Sequence, residues 1–121
     1  MTDTTTTKTR TITLTDRPPV TIREDDWPII AAAKWWDNTH ECQANRTASL
    51  RVREHVDGRR IVYGVLDSRF QHERGARAGR LVDPPTDFLE GTINAIHDVA
   101  ELIGHPELAA ECIADLPAVE I

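Results

Sequence analysis

Hydrophobic positions change their period several times along this chain, and each change marks an element. Thr11-Ile12-Thr13-Leu14-Thr15 alternates polar with aliphatic residues, which predicts a strand with Ile12 and Leu14 inward. Pro18-Pro19 ends it, and Val20 and Ile22 form a short extended continuation. Asp25-Asp26 then precede Trp27-Pro28. Acids and proline both suit the first turn of a helix, so a helix is predicted from about Asp26 to Trp36 with Ile29, Ile30, Ala33 and one Trp inward. The strongest local signal lies between Ala48 and Leu66, where two β-rich runs flank Asp57-Gly58. That dipeptide favours a two-residue type I′ turn, because both turn positions want positive φ. Such a turn places Val56 opposite Arg59, Glu54 opposite Ile61, Val52 opposite Tyr63 and Leu50 opposite Val65. One face of the hairpin is then Leu50, Val52, Val56, Ile61, Tyr63 and Val65. The other carries Arg51, Arg53, His55 and Arg60 around Val62 and Gly64.

Residues 67–83 lack periodicity and read as a mobile basic loop holding Arg69, His72, Arg74, Arg77 and Arg80. Pro84-Pro85 closes it. Asp87 and Glu90 have the spacing of a capping box, and Leu89, Ile93, Ile96, Ala100 and Ile103 follow at helical spacing until Gly104. Glu90, Asn94, His97, Asp98 and Glu101 fall on the opposite face of that helix. Pro106 starts a shorter helix with Leu108, Cys112, Ile113 and Leu116 inward and Glu107, Glu111 and Asp115 outward, ending at Pro117. Residues 1–9, with Thr at six positions, cannot build a packed face and read as a disordered tail. The expected fold is therefore one α+β domain over residues 10–121. Its small antiparallel sheet is built on the 48–66 hairpin and the strand near residue 12, with about three helices on one face.

Charge sharpens this picture. The last Lys or Arg of the chain is Arg80: residues 1–80 hold all 14 basic residues against 11 of the 20 acids, a net of +3, and residues 81–121 hold nine acids and no base, a net of −9. The expected architecture thus has two surfaces of opposite sign, an arrangement suited to charged partners or to self-association. At 121 residues and 40% hydrophobic content the chain can bury a core without disulfides. No apolar run approaches a membrane span or follows the N-terminus as a signal peptide would, so a cytoplasmic location without membrane contact is expected. Cys42 and Cys112 are accordingly expected to stay thiols.

Candidate chemistry is sparse. His40-Glu41-Cys42 lacks the second Cys pair that completes a zinc site, and His55, His72, His97 and His105 are scattered, so no metal or cofactor is expected. Ser49 and Ser68 lie outside any nucleophile elbow, and a His40/Cys42 dyad joins near neighbours whose side chains diverge. A catalytic reading ranks last. Arg51, Arg53, Arg60, Arg69, Arg74, Arg77 and Arg80 could contact phosphates, although the net charge of −6 and the few aromatics nearby argue against it. Glu90, Asp98, Glu101, Glu107 and Glu111 compose an unusually one-signed helix surface suited to a basic protein partner. Trp35 and Trp36, about 100° apart on a helix, cannot share one core, so one of them is a candidate interface anchor.

The segments Ile12 to Pro19, Glu41 to Thr47, Asp57 to Val65 and Glu111 to Pro117 resemble small uncharacterised proteins encoded on proteobacterial plasmids and integrative elements. The resemblance attaches no catalytic residue. It implies a setting in which accessory proteins bind host or defence machinery stoichiometrically. The expected function is therefore a non-enzymatic interaction protein, an inhibitor of counter-defence or host-takeover type, binding through the acidic helices. A nucleic-acid-binding accessory protein is the alternative.

Overall fold

Alternation of side chains, more than helical spacing, organises the first two-thirds of the molecule. The computed structural model describes residues 8–36, 46–68, 75–84 and 88–117. It is an α+β fold with two antiparallel sheets and two helices. Strands β1 (Thr9–Ile12) and β2 (Val20–Arg23) form a two-stranded ribbon. Strands β3 (Ile29–Trp36), β4 (Arg46–Glu54), β5 (Arg60–Ser68) and β6 (Arg77–Val82) pair in sequence order as a meander. Helices α1 (Phe88–Leu102) and α2 (Glu107–Ala114) complete the chain.

Two expected elements change type. The helix expected at 26–36 is strand β3: its acids Glu24–Asp26 form only a 3₁₀ turn, and burial alternates from Ala31 onward. An apolar run without a polar stripe fits a strand as well as a helix, and the ladder with β4 decides between them. Most of the described residues of the basic loop expected at 67–83 are strand, since β5 runs to Ser68 and β6 takes up residues 77–82. Only residues 69–74 of it, with Arg69 and Arg74, lie outside the described residues, as do His40, Cys42 and the capping Asp87. The described residues therefore form two α-helices rather than about three. Thr9, expected in the tail, belongs to β1 and pairs with Arg23 of β2.

The hairpin turn is where expected, but its register is shifted by one residue. Val52 pairs with Val62, Arg53 with Ile61 and Glu54 with Arg60. The turn holds three residues instead of two: Gly58 N donates to His55 O at 2.9 Å, His55 N donates to Arg59 O at 2.8 Å, and Gly58 has φ +99°. This is a tight turn followed by one left-handed glycine, and Asp57 holds it by accepting from Arg59 N at 3.0 Å. One extra turn residue slips the register and exchanges the faces of one strand relative to the other. Val56, expected in the core, is 91% exposed.

The corrected register gives the sheet two apolar faces. Ala33, Leu50, Val52, Val62 and Ala78 meet Ile96, Val99 and Ala100 of α1, Ile103 just beyond its end, and Leu108 and Cys112 of α2. Ile61 and Tyr63 point the other way, against Ile12, Leu14, Ile22 and Trp27 of the ribbon segment. The strand near residue 12 thus covers the sheet instead of extending it, and the expectation of packing on one face gives way to packing on both. A fully buried Val, Leu or Ile contributes about 1.5–3 kcal/mol relative to exposure. These two clusters therefore outweigh the surface ion pairs, which contribute about 0–1 kcal/mol each.

Candidate interaction surfaces

Helices α1 and α2 lie over the sheet side by side, α1 above β5 and β6 and α2 above β3 and β4. Their apolar stripes are Thr92, Ala95, Ile96, Val99 and Ala100 in α1 and Leu108, Ala109 and Cys112 in α2. The Thr92 hydroxyl is fully buried and donates to the Phe88 carbonyl at 2.9 Å, which lets a polar residue sit in that stripe. Leu89, expected inward, is exposed, and so is Leu102.

All five acids expected on the outer face are exposed residues. They are not equally free. Asp98 Oδ2 lies 3.3 Å from Arg80 Nε, so the sheet neutralises this acid from below; Arg80 belongs to β6, not to a loop. Glu107 Oε1 lies 2.8 Å from His105 Nδ1, and this bond holds the Glu107 carboxyl below its ordinary range. His105 in turn stacks on Trp35, with ring centroids 4.3 Å apart. Among the described residues Glu90, Glu101 and Glu111 have no ion-pair partner, and these three carry the accessible charge.

The arginines are mostly committed to the fold. Arg53, expected on a solvated face, is 5% exposed. Its Nε donates to Tyr63 Oη at 2.8 Å, its Nη1 to the Trp27 carbonyl at 3.0 Å and its Nη2 to Glu24 Oε1 at 3.4 Å. Arg10 Nε donates to the same Glu24 oxygen at 2.9 Å, and this bond is the main reason the Glu24 carboxyl lies below its ordinary range. Arg60 Nε donates to Glu54 Oε1 at 2.8 Å, and the guanidinium lies over the Phe88 ring on the helix side. Arg77 is the most exposed of this group and sits 3.8 Å from Asp67. Arg51 makes no ion pair among the described residues.

In a strand, Trp35 and Trp36 point to opposite faces, where a helix would set them about 100° apart. Trp35 packs on the main core, and Trp36 is 50% exposed. Beside Trp36 runs an open groove of about 590 Å³ lined by Ile29, Ala32, Ala33, Lys34, Trp36, Arg51 and Glu111. Sequence reasoning missed the groove, because it follows from β3 being an edge strand. The uncharged eight-residue spacing from Ile29 to Trp36, broken only by Lys34, was the available signal.

No group of three or more potential metal ligands occurs among the described residues. Cys112 is fully buried, and burial with the nearby Asp115 and Glu111 carboxylates pushes its thiol up to about 12. It is therefore protonated and shielded at neutral pH. In a Cys42→Ser chain, a thiol reagent is expected to label nothing within minutes under native conditions and one thiol in denaturant. Rapid native labelling would show that α2 opens readily from the sheet.

No helix among the described residues is long and apolar enough to cross a membrane. No protein-family model, curated protein or solved structure matches the chain.

Proposed function

We propose that the protein is a non-enzymatic binding protein whose outer helix surface engages a basic protein partner. The observation that carries this reading is the pairing pattern: Glu90, Glu101 and Glu111 are exposed with no ion-pair partner among the described residues, on helices whose segment of the chain contains no Lys or Arg. A surface of one sign steers and orients a partner of the opposite sign. Exposed Leu89 and Leu102 on α1 add apolar contact area. The resemblance to mobile-element accessory proteins supports an inhibitor of host or defence machinery as the biological role.

Binding of nucleic acid is the weaker reading, because Arg53, Arg60 and Arg80 each have a carboxylate neighbour at 3.4 Å or less. Phosphate contacts would have to compete with those carboxylates. The test is charge reversal of Glu90, Glu101 and Glu111 to Lys, leaving Asp98 with Arg80. Capture of a basic partner, and retention on a cationic peptide resin, is expected to fall at least about tenfold as opposed charges become repulsive. Unchanged capture by a folded variant would abandon the acidic surface, and sub-micromolar affinity for DNA or RNA at physiological salt would favour the alternative.

A further inference from the structure

We propose that the free edge of β3 is a strand-addition site for an extended acidic segment of a partner protein, adjoining the acidic helix surface at Glu111 but opposite to it in the charge it attracts. β3 ends the strand order of the four-stranded sheet, and among the described residues no strand pairs with its outer side. The outward direction of its backbone is marked directly: Ala32 N–H donates to Asp115 Oδ2 at 2.9 Å, across 83 positions of sequence. Because N–H and C=O groups of a strand alternate sides, the backbone of Lys34 and Trp36 points the same way as that of Ala32. The Asp115 carboxylate occupies the place where a carbonyl of an added strand would accept. It is exposed, and it stands at the end of α2, where it can be displaced.

Side chains beside this edge give the occupant its chemistry. The register shifts between Ile29 and Ala31, so that Ile29 pairs with Arg53 and stands on the same sheet face as Ala32, Lys34 and Trp36. Ile29 and Trp36, 46% and 50% exposed, bound the groove at its two ends. Lys34 and Arg51 lie between them and form no ion pair among the described residues, whereas Arg10, Arg59, Arg60 and Arg80 all have carboxylate neighbours. An extended segment with apolar residues at its ends and acids between them matches both the charge and the backbone pattern. A second copy fits less well, since edge-to-edge pairing brings the two Lys34 residues and their neighbouring Arg51 residues together. A nucleic acid strand would neutralise the cations but has no backbone N–H groups to donate to the edge carbonyls.

The experiment uses the full chain and two synthetic blocked octapeptides with Val and Ile at both ends, one with Glu and the other with Lys at the positions between them. Amide resonances of Ala32, Lys34 and Trp36 are expected to shift with the acidic peptide and not with the basic one. Lys34→Glu with Arg51→Glu is expected to weaken binding about tenfold or more. Lys34→Gln, an exposed single change, is expected to weaken it about two- to fivefold and serves if the double variant does not fold. Asp115→Ala frees the Ala32 donor and is expected to tighten binding about three- to tenfold. Glu111→Gln removes a neighbouring charge without touching that donor, and its gain is expected to be smaller. Equal effects of the two acid substitutions would reduce the site to charge attraction and overturn strand addition. The proposal is also overturned if no shift occurs at millimolar peptide, if the same amides shift with protein concentration alone, or if a single-stranded oligonucleotide shifts them equally well.

Discussion

Replacing Arg53 with Met is expected to lower the free energy of unfolding by about 2–4 kcal/mol, read as a fall in the urea midpoint at unchanged slope. Arg53 is 5% exposed and donates to three groups on two other segments: Tyr63 Oη, the Trp27 carbonyl and Glu24 Oε1. Met fills much of the aliphatic volume and supplies no donor. The Trp27 carbonyl and the Tyr63 hydroxyl then lose their partner in a closed layer, at about 1–3 kcal/mol each. Glu24 is left better off, because Arg10 remains 2.9 Å from the same oxygen. Tyr63→Phe removes one of the three bonds and is expected to cost only about 1 kcal/mol. In the double variant the two changes should fall short of additivity by at least about 0.5 kcal/mol, as side chains in one network do. Hydrogen exchange in β1 and β2 should accelerate with Arg53→Met, since Arg53 joins the sheet to the segment that follows β2. An unchanged midpoint would show that the buried ion can be replaced by apolar packing without loss, as happens with some buried pairs.

Arg53 also shows where the sequence was misleading. A hairpin with alternating arginines reads as one apolar and one basic face, and that reading depends on register. Asp57-Gly58 serves two different turns: both residues at the centre of a two-residue turn, or the last two of a three-residue one. Only Gly58 adopts positive φ, and no other residue among those described does so except Gly104. The choice between the turns is made by tertiary burial. In the observed register Leu50, Val52 and Val62 share the helix side, and Ile61 and Tyr63 share the ribbon side, so both faces are filled. The expected one-faced sheet took Ile12 and Leu14 in as a further strand; laid across the sheet instead, they cover the second apolar face that Ile61 and Tyr63 present.

Local signals located both helices. The stop of α1 before Gly104 and the start of α2 after Pro106 fall where spacing puts them, but the α1 stripe is turned: Thr92, Ala95 and Val99 are buried with Ile96 and Ala100, and Leu89 is exposed. β3 was not legible, because Ile-Ile-Ala-Ala-Ala carries helix-forming alanines beside β-branched residues and no polar stripe to set a period. The acidic surface was legible as composition, yet the commitment of Asp98 to Arg80 and of Glu107 to His105 required contacts that no single-sequence pattern specifies. The β3 edge groove depends on that strand's partner and on a residue 83 positions away, which places it beyond local reading.

Substitution of Gly64 tests whether α1, and the charges it carries, is held by close approach to the sheet. Gly64 lies in β5 between Leu50 and Ala78, directly below α1. A Cβ placed there would meet Ile103 Cδ1 and Val99 Cγ1 at 3.0 Å and Ile103 Cγ2 at 3.3 Å. Gly64→Ala therefore sets a tight contact against the gain of about 0.4–1 kcal/mol that a less flexible unfolded chain provides. Its net cost is expected to stay below about 1.5 kcal/mol, because the opposing atoms are side-chain ends that can turn. Gly64→Val adds two further methyl groups with no room to receive them, and overpacking of this kind costs about 3 kcal/mol or more when a helix must lift. The strand preference of Val recovers at most about 1 kcal/mol. Lifting α1 also draws Asp98 away from Arg80, so this pair should lose its coupling, and the outer acids should shift relative to α2. Val99→Ala made together with Gly64→Ala should restore space, the double variant being more stable than the sum of the single losses by about 1 kcal/mol. If Gly64→Val leaves both the urea midpoint and the Arg80–Asp98 coupling unchanged, α1 is not fixed to the sheet by this approach, and the geometry of the acidic surface rests on α2 alone.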